Sequence, residues 1–220
     1  MNIQENLNTL LREIPGGVRL VAVSKYKPVE IIQEAYNAGQ RVFGENKAQE
    51  MSAKHPLLPQ DIEWHFIGHM QTNKVKYIAP FVRLIHSVDS LKLLKEINKQ
   101  ALRNERIIDC LLQFHIAEEE SKFGFSMDEV EEMLGGKEYQ ELKNIRLCGV
   151  MGMATFTEDE KQVRKEFIQL RQYFDKIKGK YFSDGEHFME LSMGMSGDFK
   201  IAIEEGSTLV RIGTAIFSDR

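Results

Sequence analysis

The sequence predicts an α/β chain closed into one (β/α)8 barrel of the TIM type, with an additional helix at its amino terminus, and three observations carry that prediction. Short apolar, β-branched runs alternate with longer amphipathic runs along the chain, and eight of the short runs can be counted. The turn after the first run lacks the Gly-x-Gly-x-x-Gly pattern of a doubly wound dinucleotide-binding sheet. No Pro/Gly/Ser-rich linker divides the 220 residues, so a single domain over 1–220 is expected.

Ile3, Leu7, Leu10 and Leu11 fall at helical spacing ahead of the first apolar run, which makes that segment the additional helix, expected to cover one end of the barrel. Strands are expected at 18–25, 41–45, 62–68, 84–88, 108–116, 147–151, 188–192 and 209–212, each apolar and bounded by turn residues. Between them, helices are expected at 28–38, 48–53, 72–78, 91–103, 127–134, 158–177 and 197–204. Pro28 suits a first helical position, Gly39 suits the position after a helix end, and Ser90 precedes the periodic Leu91, Leu94 and Ile97. After Thr157, the acidic Glu158, Asp159 and Glu160 would meet the positive end of a helix dipole.

Composition narrows the function. Against 33 acidic residues stand 29 basic ones, interleaved without a long basic block, so nucleic acid is a poor partner. Cys110 and Cys148 are flanked by apolar residues and read as small strand hydrophobes. No stretch approaches the apolar length of a membrane span, and the amino terminus lacks the pattern of a secretory leader, so a cytoplasmic protein acting as a monomer, away from membranes, is expected. His69 and His86 have no metal-ligand spacing, and no metal is expected. Met151, Met153, Met193 and Met195 read as packing residues of the core or around a planar ring.

In such a barrel, polar residues that close apolar strands converge on one face. Val21, Val23 and Lys25 share a strand face, which puts an amine at the barrel mouth; partial desolvation there would lower its pKa and favour attack on an aldehyde. Ser192-Met-Gly-Met-Ser196-Gly197 leads into a helix and offers hydroxyls and free amides, an anion seat. After the last strand, Gly213 and Thr214 can present backbone N–H groups, and Arg211 a fixed cation. A phosphate site built by the loops after the seventh and eighth strands recurs in these barrels, and both small-residue loops fall there. An amine facing a phosphate seat suits a phosphorylated aldehyde, of which pyridoxal 5'-phosphate (PLP) is the common cofactor.

The blocks Val-Ala-Val-Ser-Lys25-Tyr-Lys-Pro, Phe-Gly44-Glu-Asn46, Trp-His65-Phe-Ile-Gly68-His-Met-Gln71-Thr-Asn73-Lys74, Gly149-Val-Met-Gly-Met153, Leu-Ser192-Met-Gly-Met-Ser196 and Val-Arg211-Ile-Gly213-Thr214 closely resemble those of the PLP homeostasis protein family, the YggS-like proteins. They run in the family's order over nearly the whole chain; the amino-terminal segment is shorter than is usual in the family. The resemblance implies a barrel akin to the amino-terminal domain of alanine racemase, with PLP held as an internal aldimine on Lys25. It also implies that Asn46 lies near the cofactor ring and that Ser196, Gly213 and Thr214 hold the phosphate. Arg211 is implied to approach the cofactor, and the pyridine nitrogen is the favoured partner; a guanidinium there keeps that nitrogen unprotonated and the cofactor a weak electron sink.

The His65-to-Lys74 block fits two roles, a satisfied core histidine followed by a helix start, or a lining of the cofactor mouth. Glu118-Glu119-Glu120 reads as a solvated loop, although with Ser121-Lys122-Phe123-Gly124 it matches a family block. The expected function is a PLP carrier or buffer that hands the cofactor to apo-enzymes rather than an enzyme. The alternative is a PLP-dependent amino-acid racemase, which needs a second acid/base group opposite Lys25, and no further domain is expected to supply one.

Overall fold

In the computed structural model, which describes residues 2–118, 123–183 and 187–218, eight parallel strands close into a barrel in sequence order. The chain opens with α1 (Ile3–Glu13), then β1 (Arg19–Val23), α2 (Val29–Asn37), β2 (Val42–Glu45), α3 (Ala48–Lys54) and β3 (Glu63–Phe66). It continues through α4 (Val75–Ile78), β4 (Leu84–Val88), α5 (Leu91–Arg103), β5 (Ile108–Gln113), α6 (Met127–Gly135), α7 (Lys137–Gln140) and β6 (Ile145–Met151). The last units are α8 (Glu160–Tyr181), β7 (Glu190–Ser192), α9 (Phe199–Glu204), β8 (Leu209–Ile212) and α10 (Thr214–Phe217). None of the described helices is long and apolar enough to cross a membrane.

All eight expected strands are present, and several boundaries differ from expectation. β1 ends at Val23, so Lys25 lies in the turn beyond it, and β5 ends at Gln113 rather than near 116. The expected helix at 72–78 divides into a 3-10 turn, Thr72–Lys74, and the single turn α4. α8 starts later than expected because Asp159 is its cap, accepting the amides of Lys161 and Gln162, which leaves Glu158 outside the helix. Ser90 caps α5 through the Leu93 amide, as its position suggested. Pro28 stands at the cap of α2 rather than inside it, and Gly39 follows that helix with φ +102°. Helix α1 buries Ile3, Leu7 and Leu10 and packs against α2 and α10, so it covers the flank where the chain closes on itself rather than an open end. Asn6 ties it down by donating to the Ile216 carbonyl at 3.0 Å.

The main core lies between sheet and helices, and a smaller one of Val21, Leu84, Leu111, Cys148, Met151 and Leu209 fills the barrel. Cys148 and Met151 both belong to that inner cluster although three positions separate them. The register slip between β5 and β6, opposite Gly149, makes this possible. Gly149 has φ +153°, and a Cβ there would lie 1.8 Å from the Glu190 carbonyl oxygen, so only glycine fits. Below this apolar layer the strand starts are charged: Arg19, Glu63, Arg83, Asp109, Arg146 and Glu190 line a cavity of about 280 Å³. The bidentate pair of Arg146 with Asp109, at 2.7 and 2.9 Å, anchors that end. Both cysteines are buried strand residues, as expected.

Candidate functional site

The opposite end of the barrel collects the residues singled out in the sequence. Ser24 still pairs with the sheet, its amide donating to the Gly44 carbonyl at 3.0 Å, and the chain then turns through Lys25 and Tyr26, the latter at φ +62°. Lys25 is exposed and has no hydrogen-bond or ion-pair partner among the described residues. This corrects the expectation of partial desolvation: the strand ends two residues early, so Lys25 lies in the exposed turn beyond it. Position, not burial, is what marks Lys25. Asn46 follows β2, the neighbour of β1, and is half-buried. A Cβ on Gly68 would come within 2.3 Å of the Asn46 carbonyl oxygen, so the loop after β3 presses directly on the backbone that presents Asn46.

On the other side of β1 lies β8, with Val21 opposite Arg211. Gly213 therefore packs against Val23, and Thr214 follows at the exposed start of α10. The loop after β7 adjoins it, joined where the Arg211 amide donates to the Gly194 carbonyl at 2.9 Å. Ser196 and Gly197 are exposed, and among the described residues their amides have no acceptor. Asp198 accepts the Met195 amide and so shapes the loop; burial raises its carboxyl pKa, while that bond and the Arg211 cation oppose the rise. Lys25, Asn46, Ser196, Gly213 and Thr214 thus all leave strand ends on one face, those of β1, β2, β7 and β8, which are neighbours around the barrel. Free amides, two hydroxyls and an unengaged amine form a donor set that fits a phosphorylated aldehyde.

Arg211 is not part of that loop set. It sits on β8 inside the barrel, donating through Nη1 to Ser192 Oγ at 2.6 Å and through Nη2 to the Gly152 carbonyl at 3.1 Å. Burial pulls its pKa down to about 10, with Asp198 opposing, so it remains a cation at neutral pH. Ser192 Oγ is 2.9 Å from His86 Nδ1, and His86 Nε2 is 2.9 Å from His65 Nδ1. Both imidazoles are neutral. Burial first, then Arg19 and Arg83, push His65 down to about 3, and burial with His65, Arg211 and Arg19 pushes His86 well below its usual range. His65 is therefore an interior residue rather than a lining of the mouth, and its Nε2 is buried without a partner among the described residues.

His86 was assigned no role in the sequence, and Ser192, expected in the anion seat, is instead wholly buried with its hydroxyl engaged by His86 and Arg211. The signal was available in the period-two face that places His86 two residues after the inward Leu84, but it needed the barrel phase to be read. Of the 118–124 block, residues 119–122 lie outside the described residues; Phe123 stacks on His69 at 3.7 Å, and His69 pairs with Asp89 at 3.2 Å. Gln71 caps the following turn with its carbonyl alone. Among the described residues, no group of three His, Cys, Asp or Glu could hold a metal ion.

The family described as alanine racemase, N-terminal domain, matches residues 1–220. A pyridoxal phosphate homeostasis protein of Aquifex aeolicus is 40% identical over 100% of this chain and 99% of its own. The chain belongs to this family. Another pyridoxal phosphate homeostasis protein, from Helicobacter pylori, is 40% identical over 92% of this chain and 88% of its own. The structure of PipY from Synechococcus elongatus with PLP bound superposes with a TM-score of 0.90 at 33% identity, covering 98% of this chain and 100% of that one. The same protein without PLP gives 0.92. Alanine racemase of Clostridium difficile, at 16% identity, TM-score 0.77 and 56% coverage of that chain, shares the fold alone. The homeostasis-family barrel is thus alanine racemase N-terminal-like.

Proposed function

We propose that this protein binds PLP at the mouth of the barrel, holds it as a Schiff base on Lys25, and buffers or carries it for apo-enzymes within the cell. The observation that carries the reading is the placement, among the described residues, of an unengaged Lys25 amine and free Ser196 and Gly197 amides at the ends of β1 and β7, the two strands that flank β8. The Lys25 amine adds to the aldehyde carbon, water leaves, and a C=N bond joins protein and cofactor. Ser196, Gly213 and Thr214 would hold the phosphate by backbone and hydroxyl donors, Asn46 would contact the ring, and Arg211 would be the partner of the pyridine nitrogen. Bound PLP supplies an electron sink, and a permanent cation at the ring nitrogen leaves that sink weak. Storage and delivery suit such a site better than carbanion chemistry.

Names among the relatives support this choice, since those of Aquifex aeolicus and Helicobacter pylori are homeostasis proteins. Incubation with PLP should produce an absorbance band near ~420 nm that borohydride abolishes. The loaded protein should then activate an apo-enzyme of the PLP class. Failure to do so faster than free PLP at matched concentration would restrict the role to storage. Sustained racemisation of L-alanine by the purified protein would instead make it an enzyme.

A further inference from the structure

We infer that Glu45, Glu50 and Lys54 are positioning residues for Lys25, fixing the backbone on both of its sides so that a free side chain meets the cofactor aldehyde from one direction. The inference rests on the Schiff-base reading above. Lys54, at the end of α3, has three N–H donors, and each is engaged: with the Ser24 carbonyl at 2.9 Å, Glu45 Oε1 at 2.7 Å and Glu50 Oε1 at 2.7 Å. The Ser24 hydroxyl donates to the same Glu45 oxygen at 2.7 Å, and the Tyr26 amide donates to Glu50 Oε1 at 2.6 Å. The residue before Lys25 is thereby held through its carbonyl and hydroxyl, and the residue after it through its amide. The Lys27 amide, donating to the Ser24 carbonyl at 3.0 Å, closes the turn.

Stability alone is a poor account of this group. Glu45 is wholly buried and Lys54 nearly so, and a buried ion pair is often matched or bettered by apolar residues of equal volume. One Glu45 oxygen, Oε2, even lacks a partner among the described residues. Tyr26 is held in the left-handed region, which is unfavourable for a residue with a side chain. These unfavourable features converge on a turn whose central residue is exposed, with a side chain that has no partner among the described residues. A group that must form a covalent bond needs that combination, a fixed Cα and an unengaged nucleophile. It also separates the two lysines chemically, because every donor of Lys54 is occupied.

The test compares PLP with pyridoxine 5'-phosphate, which has the same ring and phosphate but an alcohol in place of the aldehyde. Glu50 is partly exposed, so Glu50→Ala in the full chain removes the Tyr26 anchor with little risk to the barrel. Its affinity for PLP should fall about tenfold, the scale expected when a reacting group is misplaced, while pyridoxine 5'-phosphate binds within about twofold of wild type. Glu50→Gln, which keeps an acceptor for the Tyr26 amide, should recover most of the loss. Ser24→Ala, which removes the hydroxyl anchor to Glu45 on the other side of Lys25, is the second variant should Glu50→Ala fail to fold, and it should likewise weaken PLP alone. Equal weakening of both ligands, or of neither, overturns the inference. Absence of a borohydride-trapped adduct on Lys25 in the wild type would instead refute the Schiff-base reading, whatever the variants do.

Discussion

Acidification from pH 7.5 to 5.0 should remove about 2 kcal/mol of folding stability through His65 alone, and the magnitude follows from its burial. His65 is pushed from 6.5 down to about 3 in the barrel, so the folded protein leaves it neutral at both pH values. An unfolded chain protonates it below about 6.5, binding a proton that the native state does not. More protons on the unfolded state means that stability rises with pH; the contribution is complete above 6.5 and is lost as pH falls from 6.5 towards 3. His86 acts in the same direction, because burial, His65, Arg211 and Arg19 all lower it. Carboxylates contribute to acid unfolding as well, so the measurement is a difference. Urea unfolding of wild type and His65→Leu, without added PLP, at both pH values should show the variant losing about 2 kcal/mol less than wild type over the interval. Equal losses in the two proteins, within about 0.5 kcal/mol, would refute the assignment of a neutral, buried His65 as an acid-labile element.

Two further predictions concern the site and the core. Gly68→Ala would drive a Cβ into the Asn46 carbonyl, 2.3 Å away, so the loop carrying Asn46 must shift; PLP affinity should drop by about tenfold and the melting temperature by several degrees, read by titration and calorimetry. Burial raises both thiols, Cys110 well above its usual value and Cys148 to about 12, so iodoacetamide at pH 8 should leave the native protein unmodified and label both cysteines only in denaturant, as counted by mass spectrometry.

The barrel was legible because its signal is repeated. Alternation of apolar runs with amphipathic runs marks each βα unit independently, and a misplaced boundary in one leaves the count of eight intact. One-turn elements escaped: α7 and α10 each span four residues, too few for a helical period to appear. At the site, residues that end apolar strands could be found one strand at a time, which is how Lys25, Ser196, Gly213 and Thr214 emerged, whereas Asn46 came from the family resemblance alone. Their supporting groups could not. His86 and Ser192 are 106 positions apart in sequence and meet only because the barrel closes. Lys54 reads as an ordinary solvated helix lysine until α3 is folded against β1 and β2. The exposure of Lys25 was misjudged for a related reason, since the left-handed turn at Tyr26 ends the strand early without a glycine to announce it.

The central claim is a covalent bond between PLP and one named nitrogen. Wild-type protein incubated with stoichiometric PLP, reduced with borohydride and digested should yield one peptide carrying the reduced pyridoxyl group, with the fragment ions placing it on Lys25. A reduced adduct located elsewhere, or no adduct despite saturable PLP binding, would contradict the account.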